Sequence, residues 1–372
     1  MRIAFYAPMK PPDHQVPSGD REMARNLMAA MRAQGDAVEV ASRFVSYSSA
    51  PSSGQLDALK VAAADEAARL LAQWQAPGAA PQLWMTYHPY YKSPDLLGPS
   101  LCRALNIPYV TAEASYAGKR DRDAWAPFQA EVVGALRQAA VNFAMTAQDQ
   151  DGLARLLGAR ANVMRLPPFI DMARFTGRGA VARQPDAPAE LVCAAMMRAG
   201  AKVKSYEFLA AALTLVAQSN WRLTIIGDGP ERGAVEAAFA KLPPGRTVWR
   251  GAAAVEDIPA LLAAADIYVW PGFDEAFGVA YLEAQAAGLP VVALNCGGVA
   301  DAMRAGETGI LVEDSAAPQA YAEALARLIT DLPFRQRLGS AARRFMQTER
   351  SLAQAGALLQ GAFTRIRAEP AL

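Results

Sequence analysis

The amino-acid sequence predicts an α/β fold made of two doubly wound domains. Short apolar runs typical of buried strands alternate with helical patterns, as in parallel sheets covered by helices on both faces. The alternation restarts after a stretch rich in glycine, proline and charge, which predicts a linker over 171–189. At 372 residues the chain is also too long for one ordinary core. We therefore expect an N-terminal domain over 1–170 and a C-terminal domain over 190–345.

The first half opens with a strand, a loop and a helix. Strand 2–7 and helix 20–34 flank Ser18-Gly19, which lies where a phosphate-binding turn would lie. Neither common glycine-rich phosphate motif is present, so a flexible loop capped by Ser or Asp is the alternative. The further elements predicted in this half are strands 38–41, 82–87, 107–111, 141–144 and 163–166 and helices 56–74, 94–105, 128–139 and 148–157.

Two polar side chains of this half follow predicted strands directly. His88 comes after strand 82–87, and Glu113 comes just after strand 107–111. The carboxyl ends of parallel strands hold ligands in this class of fold, which favours a binding role, although a surface loop histidine is the alternative for His88. The D-x-D sequence at Asp121 and Asp123 lacks a strand before it. We interpret it as a solvated loop or helix start rather than a metal site.

The second half repeats the alternation and places cations after its first strand. Arg198, Lys202 and Lys204 follow strand 191–195, where arginine and lysine would neutralise a diphosphate. The other predicted elements are helices 205–217, 231–241, 258–264, 318–328 and 333–367 and strands 223–226, 247–250, 266–270, 291–294 and 309–312. The last helical stretch, about 346–372, is expected to pack back on the first domain.

The loop and helix after strand 266–270 carry two carboxylates. Glu275 lies in the loop, and Glu283 lies inside a helix that is expected to start near 277 or 278 and to end at Gly288. Between them, the amides of 276–279 are predicted at the helix start, where they have no intrahelical partner. Amides beside carboxylates suit a ligand that is both anionic and rich in hydroxyls, such as a nucleotide sugar. The alternative is that both glutamates are solvated surface charges.

Composition excludes several other classes of function. The net charge of +1 gives no signal for a nucleic-acid partner, and two histidines are too few for a histidine-rich metal site. The three cysteines are widely spaced, which favours reduced thiols in a cytoplasmic protein. No signal peptide is expected, and no apolar run is long enough to span a membrane.

The second half resembles the retaining GT-B glycosyltransferases of family 4, also called group 1 glycosyltransferases. The E-x7-E signature of that family matches Glu275 and Glu283. Its flanks match at 264–266, 287–292, 297–298 and 306–312, and segment 226–230 is also typical. The resemblance covers nearly all of 190–345, whereas the first half matches chiefly through Gly19 and the helix after it. It implies the GT-B fold, in which two Rossmann-like domains face a central cleft.

The resemblance also implies a role for each matched residue. Glu275 would bind hydroxyls of the donor sugar, Glu283 the nucleotide ribose, and Arg198 with a lysine the diphosphate. Whether Lys202 or Lys204 acts stays open, because the loop is slightly longer than usual. The implied catalytic residues are Glu275, Arg198 and Lys204, and the implied donor-binding residues are Gly19, Lys202, Gly227, Ala276, Phe277, Gly278, Val279 and Glu283. No metal ligand and no cofactor are implied.

One position departs from the family pattern. Many members have a histidine after the fourth strand, where this chain has Glu113, while His88 matches a family histidine one strand earlier. We assign both residues to the acceptor side of the site. A catalytically silent nucleotide-sugar-binding homologue is therefore one alternative function. Another is a GT-B enzyme of different reaction, such as a phosphorylase or an epimerase.

The expected activity is retaining transfer of a sugar from a nucleoside-diphosphate sugar to a hydroxyl group of a glycan or glycolipid. The family most commonly acts in bacterial cell-surface polysaccharide synthesis. The expected partners are thus a nucleotide sugar and a glycan or glycolipid acceptor, with no nucleic acid. We expect a cytoplasmic protein, and peripheral contact with the inner membrane stays open.

Overall fold

The computed structural model describes residues 1–16, 18–158, 162–176, 187–313 and 317–368 of the chain. They form two compact units, one made of Met1–Pro167 and the chain from Leu352 onward, the other of Pro168–Ser351. Each unit contains one six-stranded sheet whose described strand pairs are all parallel. Two parallel sheets with flanking helices confirm the predicted α/β class with two doubly wound domains.

The first sheet has the order β2-β1-β3-β4-β5-β6. The strand order reverses between β1 and β3, so the loops that follow these two strands leave toward opposite faces of the sheet and open a crevice at their carboxyl ends. The strands are β1 Arg2–Tyr6, β2 Ala37–Val40, β3 Leu83–Tyr87, β4 Tyr109–Ala112, β5 Val141–Ala144 and β6 Val163–Arg165. The helices are α1 Gly19–Ala33, α2 Ser53–Gln73, α3 Gly98–Leu105, α4 Ala126–Gln138 and α5 Ala147–Leu157.

The second sheet has the order β12-β11-β10-β7-β8-β9. Its reversal lies between β7 and β10, which pair with each other. The strands are β7 Ala189–Ala194, β8 Trp221–Ile226, β9 Thr247–Gly251, β10 Ile267–Val269, β11 Val291–Asn295 and β12 Gly309–Glu313. The helices are α6 Ala201–Leu215, α7 Arg232–Phe239, α8 Ile258–Ala263, α9 Val279–Ala286, α10 Val299–Ala302, α11 Pro318–Thr330 and α12 Leu332–Glu349.

Helix α6 starts earlier than the sequence predicts. It begins at Ala201 rather than at 205, so Lys202 and Lys204 lie in its first turns and not in the preceding loop. Gly200 precedes the helix with φ +82°, a left-handed conformation that glycine adopts without steric cost. The chain therefore turns into the helix at Gly200, and two cations that the sequence places in a loop are held on a helix.

The predicted helix over 333–367 is two helices. It is interrupted between α12 and α13 Leu352–Ala368, because Arg350 and Ser351 pair with another segment. The amide of Ile170 donates a hydrogen bond of 3.0 Å to the carbonyl of Arg350, and Ile170 forms a parallel bridge with Ser351. Helix α13 then packs against α1, whereas α12 stays with the second unit.

The predicted linker over 171–189 is described only in part. Residues 177–186 lie outside the described residues. Met172–Phe175 form a 3₁₀ turn, and Phe175 is buried in the core of the second unit. The unit boundary accordingly lies after Pro167, before the segment that composition assigns to a linker.

Among the described helices, none combines the length and the apolar character that crossing a membrane requires.

Candidate functional site

The loop between β10 and α9 is shaped by two glycines. Gly272 and Gly278 have φ of +79° and +76°, which side chains rarely adopt. A Cβ at Gly272 would lie 1.9 Å from the Tyr281 hydroxyl, and one at Gly278 would lie 2.6 Å from the Tyr281 ring. The Tyr281 hydroxyl itself donates to the carbonyl of Trp270 at 3.1 Å. The loop can therefore fold over this tyrosine only with glycine at both positions.

Glu275 lies at the centre of this loop and has two side-chain partners. The indole Nε1 of Trp270 donates to Glu275 Oε1 at 3.1 Å, and the ammonium group of Lys202 forms an ion pair with the same oxygen. Lys202 also lies 5.6 Å from the Trp270 ring centroid. The side chains of Lys202 and Glu275 are 27% and 18% exposed, so a ligand arriving at this edge of the sheet can reach both.

The backbone of Glu275 is held by the turn after β11. Its carbonyl accepts a hydrogen bond of 3.3 Å from the amide of Gly298. A Cβ at Gly297 would lie 2.3 Å from this carbonyl oxygen, so glycine is required for the close approach. The Gly297-Gly298 turn after β11 thus holds the backbone from which the carboxylate extends.

The two lysines that the sequence leaves open differ in their contacts. Lys202 reaches Glu275, whereas the Lys204 ammonium lies 3.8 Å from the centroid of the Phe273 ring. Arg198 is exposed and makes no hydrogen bond or ion pair to another described residue. The structure therefore brings Lys202 and Glu275 together and leaves Arg198 apart from them.

The backbone amides over 276–279 are the second feature of the loop. Helix α9 begins at Val279, so the amides of Ala276, Phe277 and Gly278 precede the helix instead of belonging to it. Within the described part of the chain, none of the four amides donates a hydrogen bond. Four such donors beside the Glu275 carboxylate can bind oxygen atoms of an anionic ligand.

The loops after β7 and β8 pack closely against each other. Gly227 has φ +145°, and a Cβ there would lie 1.9 Å from the carbonyl oxygen of Ala195. The amide of Met197 donates to the carbonyl of Asp228 at 3.0 Å. Gly227 thus sets the path of the segment that leads to Arg198 and α6, and its backbone function is to allow this close packing.

Glu283 lies on α9 and pairs with an arginine that the sequence analysis did not select. Its Oε1 is 3.4 Å from Nη2 of Arg174, and the same nitrogen donates to the carbonyl of Val255 at 3.0 Å. Arg174 belongs to the 3₁₀ turn that enters the second unit. The glutamate predicted to bind ribose is therefore in contact with a cation of its own unit.

The acceptor-side residues of the first unit occupy equivalent backbone positions. His88 and Glu113 directly follow β3 and β4 and have φ of 57° and 55°, a left-handed conformation that is uncommon for such residues. The His88 amide donates to the carbonyl of Ala112 at 2.8 Å, so the two strand ends remain paired. The Tyr87 hydroxyl donates to Glu113 Oε2 at 2.6 Å.

Asp20 completes a group of charges around His88. Its Oδ1 lies 3.2 Å from His88 Nδ1. Burial alone would lower the pKa of His88, but the charges of Glu113, Asp20 and Asp149 raise that pKa to about 9. Burial raises the pKa of Glu113 to about 7 against the opposing effects of His88 and Tyr87. Asp20 is desolvated as well, yet His88 and Lys10 hold its pKa below the usual value.

Gly19 is the first residue of α1, beside this group. Ser18 caps the helix and accepts a hydrogen bond of 3.3 Å from the Arg21 amide. The Lys10 ammonium lies 3.1 Å from the Ser18 hydroxyl. The predicted glycine turn is therefore a capped helix start with a lysine next to it, which is an electropositive end of the helix.

Comparison with known proteins gives a family match in the second unit. The family model described as glycosyl transferases group 1 matches residues 188–331. The second unit thus contains a match to a group 1 glycosyltransferase domain. The matched range contains the Lys202–Glu275 pair, the amides of 276–279 and Glu283, so the E-x7-E interpretation and the family agree.

Curated relatives match the chain over a short range. A D-inositol 3-phosphate glycosyltransferase of Corynebacterium glutamicum is 47% identical over 83 residues, which is 22% of this chain and 20% of that protein. A protein of the same name from Salinispora arenicola is 45% identical over 89 residues, or 24% of this chain and 20% of that protein. The chain thus spans about a fifth of the length of the curated relatives it matches.

Solved structures resemble the chain over its full length. The sucrose-phosphate synthase of Thermosynechococcus elongatus has a TM-score of 0.72 at 20% identity, with 99% of each chain covered. The protein HepE of Anabaena, solved in complex with UDP, has a TM-score of 0.71 at 17% identity, covering 98% of this chain and 100% of that one. At these identities the likeness concerns the fold alone, which is the predicted GT-B fold with two Rossmann-like domains.

Sequence reasoning missed three residues that contact the predicted ones. Trp270 directly follows β10, and its apolar neighbours in sequence suggest only a core position. Arg174 lies far from Glu283 in sequence, and Asp20 far from His88, so spacing gives no sign of either pairing. Asp20 did carry one signal, because an acidic residue in the first turn of a helix after a strand lies at the ligand edge of such a sheet.

Proposed function

We propose that the protein transfers a glycosyl group from a nucleoside-diphosphate sugar to a hydroxyl group of an acceptor, with retention of configuration. The observation that supports this proposal lies where the strand order reverses between β7 and β10. There Glu275 forms an ion pair with Lys202 beside the amides of 276–279. A carboxylate accepts hydroxyl hydrogen atoms of a sugar, while a lysine and free amides attract phosphate. Few other ligands combine both requirements.

The donor sugar and diphosphate have separate partners in this proposal. Glu275 binds sugar hydroxyls, and the amides of 276–279 bind sugar and phosphate oxygens. Lys202 lies close enough to Glu275 to neutralise a phosphate next to the sugar, and Arg198 and Lys204 add charge along the same edge. A structural neighbour was solved with UDP, which supports a nucleoside diphosphate as the ligand of this unit.

Catalysis follows from the charge that appears as the bond to the diphosphate breaks. Cations and amides that are already oriented stabilise the departing diphosphate without reorganisation, and this favours a dissociative, oxocarbenium-like step. The acceptor hydroxyl then attacks from the face that the diphosphate leaves. We propose that these positive charges stabilise the departing diphosphate without a metal ion.

The acceptor is assigned to the first unit, at Asp20, His88 and Glu113. A protonated His88 held by carboxylates is a hydrogen-bond donor, and Glu113 is a buried acceptor beside it, so together they can orient a hydroxyl-bearing molecule. We propose a glycan or glycolipid acceptor and a role in assembling a cell-surface polysaccharide.

The test is donor turnover by the wild type and by Glu275→Gln. UDP, GDP and ADP sugars are incubated with the protein in the presence of EDTA, and release of the nucleoside diphosphate is measured with and without glycan acceptors. We expect turnover of one donor class, which Glu275→Gln lowers about 100- to 1,000-fold. The anomeric configuration of the product, read by NMR, should match that of the donor.

A matched control is Glu236→Gln. Glu236 lies on α7 of the same unit and pairs with Arg232 on the surface at 2.8 Å, so this change should leave turnover as in the wild type. Full activity of Glu275→Gln would contradict the proposal. Tight binding of a nucleotide sugar without any turnover would instead favour the catalytically silent homologue.

A further inference from the structure

Arg174 connects two segments of the second unit through one guanidinium group. Its Nη2 donates to the carbonyl of Val255 at 3.0 Å and lies 3.4 Å from Glu283 Oε1. The side chains of Arg174 and Glu283 are 20% and 13% exposed, so the pair is largely shielded from water. An ion pair in this setting is screened less by salt than a surface pair is.

The turn that carries Arg174 is itself firmly attached to the second unit. The Asp171 side chain accepts a hydrogen bond of 2.9 Å from the Ala173 amide, which caps the turn. Phe175 is 1% exposed, and Nη2 of Arg343 donates to the Phe175 carbonyl at 3.1 Å. Arg174 therefore extends from a fixed base, and its position does not depend on a flexible chain.

A cation held in a fixed position lowers the free-energy cost of binding a ligand through a glutamate. A free glutamate side chain samples several rotamers, and ordering it on binding costs free energy. A planar guanidinium group that is itself hydrogen-bonded to a carbonyl restricts the carboxylate in advance. A carboxylate has about four acceptor sites on its two oxygens, so it can accept from Arg174 and from ligand hydroxyls together.

We propose that Arg174 is a positioning residue that holds Glu283 in the orientation that binds the ribose hydroxyls of the donor nucleotide. Arg174 lies in the segment before residue 188, outside the range that matches the family model. The inference rests on the proposed function, since it assigns Glu283 to the ribose. It adds that ribose recognition in this chain depends on the segment by which the chain enters the second unit.

The experiment compares a ribonucleotide with an analogue that lacks the ribose hydroxyls. Calorimetric titration measures the Kd of UDP, GDP and ADP for the full-length protein, and then the Kd of the 2′,3′-dideoxy form of the one that binds most tightly. We expect Arg174→Ala and Glu283→Ala each to weaken ribonucleotide binding about tenfold. Neither change should alter the Kd of the dideoxy form by more than about twofold, because that ligand makes no bond to Glu283.

Two further variants separate positioning from a general structural role. The double variant Arg174→Ala/Glu283→Ala should bind the ribonucleotide no more weakly than Glu283→Ala, and Arg174→Lys should recover most of the lost affinity. The control is Arg222→Ala. Arg222 pairs with Glu190 at 2.5 Å, near the amino ends of β8 and β7 and away from the binding edge, so this variant should bind both ligands as the wild type does.

The outcomes that overturn the inference are distinct from those that overturn the proposed function. Equal weakening of both nucleotides by Arg174→Ala would mean that the arginine only supports the fold. Unchanged ribonucleotide binding by Arg174→Ala, with a clear loss for Glu283→Ala, would show that Glu283 needs no positioning. In both cases wild-type binding and the effect of Glu275→Gln on turnover would stand, whereas failure of all three nucleotides to bind would remove the proposed function itself.

Discussion

At the scale of single residues, His88 and Glu113 share an unusual backbone conformation. Holding a residue other than glycine in the left-handed region costs on the order of 1 kcal/mol. Such positions persist where surrounding contacts fix them, and here the contacts are those of His88 with Asp20 and of Glu113 with Tyr87. His88 and the carboxylate of Asp20 thus lie together at the carboxyl ends of the strands of the first sheet.

The first prediction concerns the protonation of His88. NMR titration of the imidazole should give a pKa near 9, because the carboxylates around His88 outweigh its burial. The change Asp20→Asn should lower that pKa toward the usual value by removing the charge at 3.2 Å. Since the protein has two histidines, the signal of His88 is identified by its loss in His88→Gln.

The same shift fixes the pH dependence of stability. Because the pKa of His88 rises on folding from 6.5 to about 9, its stabilising effect is complete below pH 6.5 and is lost as the pH rises through 9. Asp20→Asn should therefore lower the free energy of unfolding more at pH 6.5 than at pH 9.5, by about 1–2 kcal/mol. An equal loss of unfolding free energy at pH 6.5 and at pH 9.5 would show that the charge pair of Asp20 and His88 does not contribute to stability.

A local motif in the sequence selects Glu275 and the amides of 276–279 as candidate site residues. Glu275 lies beside the amides of 276–279 because strand, loop and helix follow each other directly in the chain, whereas Lys202 reaches Glu275 from α6, 73 residues away in sequence. The partners Asp20 and Arg174 were not predicted, because each contacts a residue far away in sequence. Such pairings depend on strand order and on the packing of distant segments, which hydrophobic periodicity does not encode.

At the scale of elements, the loop between β10 and α9 depends on its backbone more than on its side chains. Gly278 precedes α9 with a left-handed φ of +76° and leaves no room for a Cβ beside Tyr281. Gly278→Ala should therefore cost about 1–3 kcal/mol of stability. It should also weaken binding of the nucleotide sugar, because the amides of 276–279 would be displaced.

A matched control lies in the same unit. A Cβ at Gly233 of α7 would meet nothing within 4 Å, and its φ is not in the left-handed region. Gly233→Ala should thus leave stability unchanged or raise it by up to about 1 kcal/mol, as alanine favours a helix. Thermal unfolding and calorimetric titration of both variants measure the difference; equal behaviour would show that the loop tolerates another backbone path.

Most elements lie within a few residues of their predicted bounds, and the exceptions share a cause. Helix α3 begins at Gly98 rather than at 94, since the Asp95 carboxylate accepts hydrogen bonds from the amides of Leu97 and Gly98. Helix α6 begins early because Gly200 provides the turn before it. The predicted helix over 333–367 is divided because Ile170 pairs with Arg350 and Ser351 between α12 and α13. In each case a specific hydrogen bond or turn overrides a continuous apolar pattern.

At the scale of the whole molecule, the first unit combines two segments that are distant in sequence. Helix α13 packs on α1, and its buried residues include Leu359 and Phe363. The Phe363 ring lies 6.3 Å from that of Phe143 on β5, in edge-to-face geometry. Gly356 is close to α1 as well, where a Cβ would lie 2.8 Å from the carbonyl of Ala30. The first sheet is therefore covered on this face by a helix that is distant in sequence from the rest of its unit.

Removal of that helix should destabilise the first unit selectively. Burial of Leu359 and Phe363 contributes about 1.5–3 kcal/mol each, so truncation after Ser351 exposes an apolar face of α1 and removes this contribution. Amide hydrogen exchange should then accelerate in α1 and β1, while β7 and β8 of the second unit keep their protection. Truncation after Ala368 is the control and should exchange as the full chain does. Unchanged protection of α1 in the shorter protein would mean that α13 does not stabilise the first unit. An equal loss of protection in both units would mean that they unfold as one cooperative body.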